Sequence, residues 1–259
     1  SVIVPNYNHA PYLELRLNSI FSQTYQNIEV IMLDDASTDG SEAVLRKFHQ
    51  RYPDKSRLLL NESNSGGVFH QWEKGLRLAQ GEIIWIAESD DWCSENFLET
   101  LVQFFENEAV QLAHCRTVFT DDTGREEIWS INEYLHDLDR ERWNHTIVET
   151  GHNIVAEAFA IKNIIPNVSS AIFRNPRHLE ILKDPEWKQM QTCGDWLLYL
   201  HLIRGGMLAY SPDACSYYRM HGENTSVKSY ADDRFYIEHE IVARAARQYF
   251  RVDDDVFLR

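Results

Sequence analysis

A chain of 259 residues, 44% hydrophobic and 12% aromatic, can build a substantial core as one large domain or one and a half ordinary ones. Its 25 Lys and Arg against 40 Asp and Glu give a formal charge of −15, which argues against nucleic acid as a partner but leaves room for a phosphate ligand bridged by a cation. No apolar run approaches the roughly 20 residues that cross a bilayer, no signal peptide is visible, and the four cysteines form no CxxC pair, so a cytoplasmic protein with reduced thiols is expected.

The chain opens inside the apolar run SVIVP, so we expect part of a longer polypeptide, whose flanking regions could attach it peripherally to the cytoplasmic face of a membrane. Strand-like runs at 2–5, 28–33, 56–61 and 82–87 alternate with helical spacings at 12–23, 41–52, 67–81 and 94–107. This βαβαβαβα order, with near-continuous apolar strands, predicts a mostly parallel central sheet covered by helices on both faces. Beyond residue 108 the alternation fades. A strand is expected at 110–119, loops or short helices at 120–150, a strand at 168–174 and an apolar helix at 194–206. Two strands follow within 207–221, and an amphipathic helix spans 232–251.

In such sheets ligands sit beyond the carboxyl ends of the strands, where strand order reverses. The segments that follow the first four strands are PNYNHAP, DDASTDGS, ESNSGG and ESDDW. None is a GxGxxG or GxxxxGK[ST] loop, so neither a dinucleotide grip nor a P-loop is present. Tyr7 could stack on a planar base, and a carboxylate at Asp34 or Asp35 could accept from a base imide N–H. Glu88, Asp90 and Asp91 are oxygen ligands suited to Mg2+ or Mn2+ shared with substrate phosphates. Together these segments outline a nucleotide-diphosphate site. Read singly, each has a plainer meaning: an N-cap turn for Asp34-Asp35, solvated loop acids for Glu88 to Asp91, a helix-start acid for Asp195 and a loop histidine for His221. Trp85, Tyr217 and Tyr218 read as sheet residues, and the triplet Asn167-Val168-Ser169 as a chance occurrence.

The stretches SVIVPNYNHAPYLELRLNSIFSQTYQNIEVIMLDDASTDGS and NSGGVFHQWEKGLRLAQGEIIWIAESDDW resemble the family 2 glycosyltransferases of the GT-A fold. The resemblance is close over residues 1–108 and looser over 168–226. It implies a Rossmann-like α/β domain with a C-terminal acceptor-side extension. Residues 1–108 would form the nucleotide-sugar half, 109–231 the acceptor and catalytic-base half, and 232–259 a terminal helix. It also implies that Pro5 and Tyr7 contact the nucleobase, that Asp35 binds base or ribose, and that Glu88-Ser89-Asp90 is the DxD-type motif. In that motif Asp90 would be the main ligand of Mn2+ or Mg2+, with Glu88 approaching the ribose or a metal-bound water. Glu88 departs from the more usual Asp, and Trp72 stands near where many relatives place an arginine. The same resemblance makes Asp195, in CGDWLLYLHL, the general base. It carries His221, in YYRMHGENTS, over as a second metal ligand, with Arg219 as a phosphate contact.

The implied activity is direct, inverting transfer from a nucleotide-diphosphate sugar, UDP-sugar first and dTDP-sugar as the alternative. The acceptor would be a glycan or a lipid- or protein-linked saccharide, with the aromatics of 120–165 lining its side. Two rivals are a nucleotidyltransferase, whose glycine- and lysine-bearing loop PNYNHAP does not supply, and a non-catalytic nucleotide-sugar or glycan-binding module of a larger protein.

Overall fold

The computed structural model describes residues 1–222 and 233–258. Strands β1 (Val2–Asn6), β2 (Val30–Asp34), β3 (Ser56–Leu60) and β4 (Ile83–Ile86) alternate with helices α1 (Ala10–Phe21), α2 (Ser41–Arg51) and α3 (Val68–Leu78). After β4 come a two-residue strand β5 (Trp92–Cys93), α4 (Phe97–Val102) and the long β6 (Val110–Thr120). The second half adds β7 (Glu127–Ser130), α5 (Ile131–Tyr134), β8 (Ile147–Thr150), α6 (Gly151–Ile154) and β9 (Ala171–Arg174). It continues with α7 (Pro185–Lys188), α8 (Gly194–Ile203), β10 (Met207–Arg219) and α9 (Asp233–Tyr249).

All strands join one sheet in the order β3-β2-β1-β4-β9-β6-β10-β5, with β7 on β6 and β8 on β10. The first four strands are parallel, as their continuous apolar runs predict. Beyond β4 the sheet is mixed: β9 runs antiparallel to β4 and β6, while β10 is parallel to β6. The chain lays β2 and β3 on one side of β1 and then returns to β4 on the other. The crevice beyond the carboxyl ends of β1 and β4 is therefore the switch point.

Side chains of successive strand residues point to opposite faces. Val2 and Val4 pack with Leu13, Leu17 and Ile20 of α1 and with Leu45 and Phe48 of α2. Ile3 faces the other way, among Phe69, Trp72 and Leu76 of α3 and Leu197 to Leu200 of α8. Both clusters draw residues from the parallel and the mixed halves, so the core is continuous across the sheet. Gly75 lets α3 approach β1 closely, because a Cβ there would stand 2.3 Å from Ile3 Cγ2.

Two expectations for the last third change. Residues 207–219 form one strand rather than two, and its register against β6 slips between Ser211 and Cys215. Pro212 lies in that slip; with no N–H to give the ladder, it forces a bulge without ending the strand. The segment 120–150 holds two short strands, not only loops and helices. Residues 223–232, which include the end of the loosely similar segment and the expected start of the final helix, lie outside the described residues. No helix among the described residues is long and apolar enough to cross a membrane.

Candidate active site

A cavity of about 670 Å³ opens at the switch point, a size that suits a small organic ligand. Its wall includes Pro5, Tyr7, Asp35, Glu88, Ser89, Asp90, Asp195 and His221, so these eight expected residues reach one space. Arg219, expected as a phosphate contact, does not line it and is buried behind the acids, donating to the Asp90 and Asp122 carbonyls. None of residues 120–165 contributes to that wall. Of the aromatics expected on the acceptor side, Trp143 is fully buried, with Tyr210 donating to its carbonyl, whereas Trp129 is exposed on the edge strand β7.

The two acids after β2 divide their work. Asp34 is buried and ties two strand-end loops together, accepting from the Asn6 side chain at 2.8 Å and from the Ser37 N–H at 3.0 Å. Asp35 faces the cavity, where its carboxylate accepts from Asn61 at 2.6 Å, from the Ser65 N–H and hydroxyl, and from Gln71 at 2.8 Å. Between this acid and the following serine, Ala36 has φ of 62°, and Asn8 after β1 has φ of 56°. Two non-glycine residues in the left-handed region, both beside the cavity, are the kind of local strain found at functional loops.

The ESDDW turn is held from several sides. Ser169 Oγ accepts from the Glu88 N–H at 3.0 Å, the Arg16 Nε donates to the Glu88 carbonyl at 2.8 Å, and the Trp72 indole donates to the Glu88 carboxylate at 2.8 Å. Arg219 Nε donates to the Asp90 carbonyl at 2.9 Å, and the Arg219 N–H reaches the Asp91 carboxylate at 3.2 Å. Burial, with the charges of Asp90 and Asp91, pushes Glu88 up to about 8; burial and the charge of Asp90 push Asp91 up to about 7. Asp90 goes the other way. Burial raises it, but the His221 hydrogen bond and the charges of His9 and His221 outweigh burial and leave its carboxyl below the usual range. The fully buried Arg16 places a permanent positive charge beside this cluster and stacks over Trp85.

His221 Nε2 lies 3.0 Å from Asp90 Oδ2, and its ring stacks on Tyr12 with centroids 5.2 Å apart. His9 stands edge-on to both rings. One ligand atom from each of His9, Asp90 and His221 falls within 4.8 Å of the other two, so the donor set fits a divalent cation.

Asp195 comes from the first turn of α8. Gly194 before it packs against Phe69, whose ring a Cβ would meet at 2.4 Å, and the Trp187 indole donates to the Gly194 carbonyl at 2.8 Å. The Trp196 N–H donates to Asp195 Oδ1 at 2.6 Å, yet burial prevails and lifts the Asp195 carboxyl to about 7.

Sequence reasoning missed His9, Gln71, Trp72 as a hydrogen-bond donor to Glu88, and Ser169. His9 sits in a strand-end segment already under suspicion, but nothing in the spacing shows that it meets His221, 212 positions away. Ser169 belongs to the triplet read as a chance occurrence; Asn167 and Ser169 are both buried, and they secure Glu88.

Among curated proteins, the chain is 43% identical over 103 residues to the glycosyltransferase GlyG of Streptococcus pneumoniae serotype 4, covering 40% of this chain and 34% of that one. The chain thus spans about a third or less of the first curated relatives it matches. Its fold resembles residues 1–349 of S. aureus TarS crystallised with UDP-GlcNAc, with a TM-score of 0.69 and 22% identity over 94% of this chain and 65% of that one. It also resembles the mannosyltransferase PcManGT of Pyrobaculum calidifontis in complex with GDP-Man and Mn2+, with a TM-score of 0.62 and 19% identity over 96% and 72%. The glycosyl transferase family 2 model matches residues 1–165, well over half of the chain. With the GT-A architecture and a cavity at its switch point, that match identifies the chain as a member of glycosyl transferase family 2.

Proposed function

We propose that this domain is an inverting, metal-dependent glycosyltransferase that takes a UDP-sugar, or a dTDP-sugar, as donor and a hydroxyl of a glycan or of a lipid- or protein-linked saccharide as acceptor. The observation that carries this reading is the arrival of Asp195, from the distant helix α8, in the cavity that already holds the strand-end acids.

In this reading the nucleobase lies against Pro5 and Tyr7. Asp35 serves the base or ribose end, and since Asn61, Ser65 and Gln71 already donate to it, part of its work is to hold that loop in place. Glu88 and Ser89 line the path from the ribose to the diphosphate. Asp90 and His221 hold the cation, Mn2+ or Mg2+, which when bound offsets the negative charge of the departing diphosphate. Arg219 stays in the ESDDW turn through its bonds to Asp90 and Asp91 and so fixes the position of the ligand carboxylate.

Asp195 takes the proton of the acceptor hydroxyl as its oxygen bonds to the anomeric carbon and the carbon–oxygen bond to the diphosphate breaks. A carboxylate raised to about 7 suits this task, because a base acts best when its pKa lies near the working pH. One base on the face opposite the leaving group gives inversion. Residues 1–108 would then form the donor half, and 109–231 the acceptor and base half, which also lends His221 to the metal; 232–259 would pack behind it. We place the domain in the cytoplasm, at a membrane face if longer flanking regions provide the attachment.

The test is a panel of UDP-, dTDP- and GDP-sugars with saccharide acceptors, followed by nucleotide-diphosphate release and by the anomeric configuration of the product. One donor should turn over with inverted configuration. Donor binding without turnover across the acceptor panel would favour a non-catalytic binding module.

A further inference from the structure

Three side chains around the proposed cation position are unequal in what the sequence says of them. Asp90 belongs to the DxD-type motif and His221 to the late Tyr-Arg-x-His segment, whereas His9 comes from the loop after β1 and has no assigned role. Yet His9 brings a ring nitrogen within 4.8 Å of the ligand atoms of both. The 3.0 Å between His221 Nε2 and Asp90 Oδ2 is also the edge expected between neighbouring ligands of an octahedral cation with bonds of roughly 2.1 Å.

His9 carries a second feature of a metal ligand. Its Nδ1 lies 2.8 Å from the hydroxyl of Ser89, the middle residue of Glu88-Ser89-Asp90, and Ser89 is fully buried. Ligating histidines characteristically use the other ring nitrogen in such a hydrogen bond, which fixes the ring's rotation and tautomer. Ser89 thus engages Nδ1 and leaves Nε2 as the ring nitrogen available to the cation.

We infer that His9, oriented by Ser89, is the third protein ligand of the cation, and that the resulting His9–Asp90–His221 set makes this site select Mn2+ over Mg2+. The inference rests on the metal-dependent reading above and deepens it. Its selectivity follows from the donors. Mg2+ keeps oxygen ligands and sheds water reluctantly, whereas imidazole nitrogen favours the first-row transition ions. Asp90 alone would accept either ion; two imidazoles beside it tip the choice. Ser89 then becomes a positioning residue for His9 in addition to its place on the donor path.

The experiment uses the purified chain and Mn2+ alone. Electron paramagnetic resonance of free Mn2+ gives the affinity, and electron spin-echo modulation counts the imidazole nitrogens coupled to the bound ion. The parent should show two. His9→Gln should show one and bind at least about tenfold more weakly, while Ser89→Ala should keep two and still weaken binding, on the roughly 10–100-fold scale of lost outer contacts. Mg2+ should displace Mn2+ only in more than about tenfold excess. Ser89→Ala leaves all three ligands in place, so the test does not hang on how His9→Gln affects the start of α1. If His9→Gln keeps the parent's affinity and nitrogen count while Asp90→Asn loses Mn2+, the assignment of His9 is wrong and the wider metal reading stands. If Asp90→Asn also binds Mn2+ like the parent, or the parent takes up none, the metal reading fails and this inference with it.

Discussion

Replacing Glu88 by Gln should stabilise the metal-free protein, and only at neutral to alkaline pH. Glu88 sits in the wall of the cavity with its carboxylate accepting from Trp72, an acceptor role the Gln amide oxygen preserves. Burial and the charges of Asp90 and Asp91 raise its carboxyl from 4.5 to about 8. The folded value is above the unfolded one, so between these two pH values the native state keeps a proton that the unfolded chain has released. Stability contributed by this group is therefore highest in acid and falls as pH rises through the window. At 1.36 kcal/mol per pKa unit, the ceiling on that loss is about 5 kcal/mol at or above pH 8. Glu88 is partly open to cavity water, which screens it, so we expect about 1–2 kcal/mol to remain. For a domain of this size that corresponds to a melting difference of roughly 2–8 °C. Thermal unfolding in chelator, followed by circular dichroism from pH 5 to 8.5, reads it directly. Parent and Glu88→Gln should melt together at pH 5 and separate progressively, with the variant higher at pH 8.5. A separation that does not change with pH, or a variant that melts lower at pH 8.5, would refute this account of the acid cluster.

Other outcomes follow from the same geometry. Adding Mn2+ to the parent at pH 8 should raise its melting temperature, by about 2.7 kcal/mol of stability at a hundredfold excess over the dissociation constant, and chelator should reverse the gain. The Asp195 carboxyl at about 7 must be deprotonated to work, so kcat/KM measured against pH should climb towards pH 7 and level above it. Gly75→Ala should cost about 1–3 kcal/mol in urea unfolding, because its Cβ would stand 2.3 Å from Ile3 Cγ2, in the contact that seats α3 on β1.

The first four strands were legible because each signal was local. A buried parallel strand needs a short apolar run, its crossover helix needs a 3.6-residue spacing, and both lie within about thirty residues. The place of the candidate cavity was legible for the same reason: in a doubly covered sheet, the segments that follow the strands converge whatever else the chain does. Asp195 and His221 needed more than periodicity; they rested on the resemblance, and the cavity brings both to the strand ends. What stayed hidden depends on contacts between distant segments. His9 gains its meaning only from Ser89 and His221, and Ser169 only from Glu88. Trp143, by type a candidate to stack on sugar, is instead sealed against Tyr210, and no local pattern separates those two fates. The two strands expected within 207–221 are one, because β6 pairs with β10 on both sides of the slip at Pro212, a long-range contact that no local pattern reports.

The measurement closest to the central claim compares the parent with Asp195→Asn, each with its preferred donor and acceptor, for turnover and for donor affinity. If this cavity transfers sugar with Asp195 as the base, the variant should lose on the order of 10²–10⁴ in kcat while binding donor as the parent does. Transfer at the parent's rate by Asp195→Asn would contradict the account.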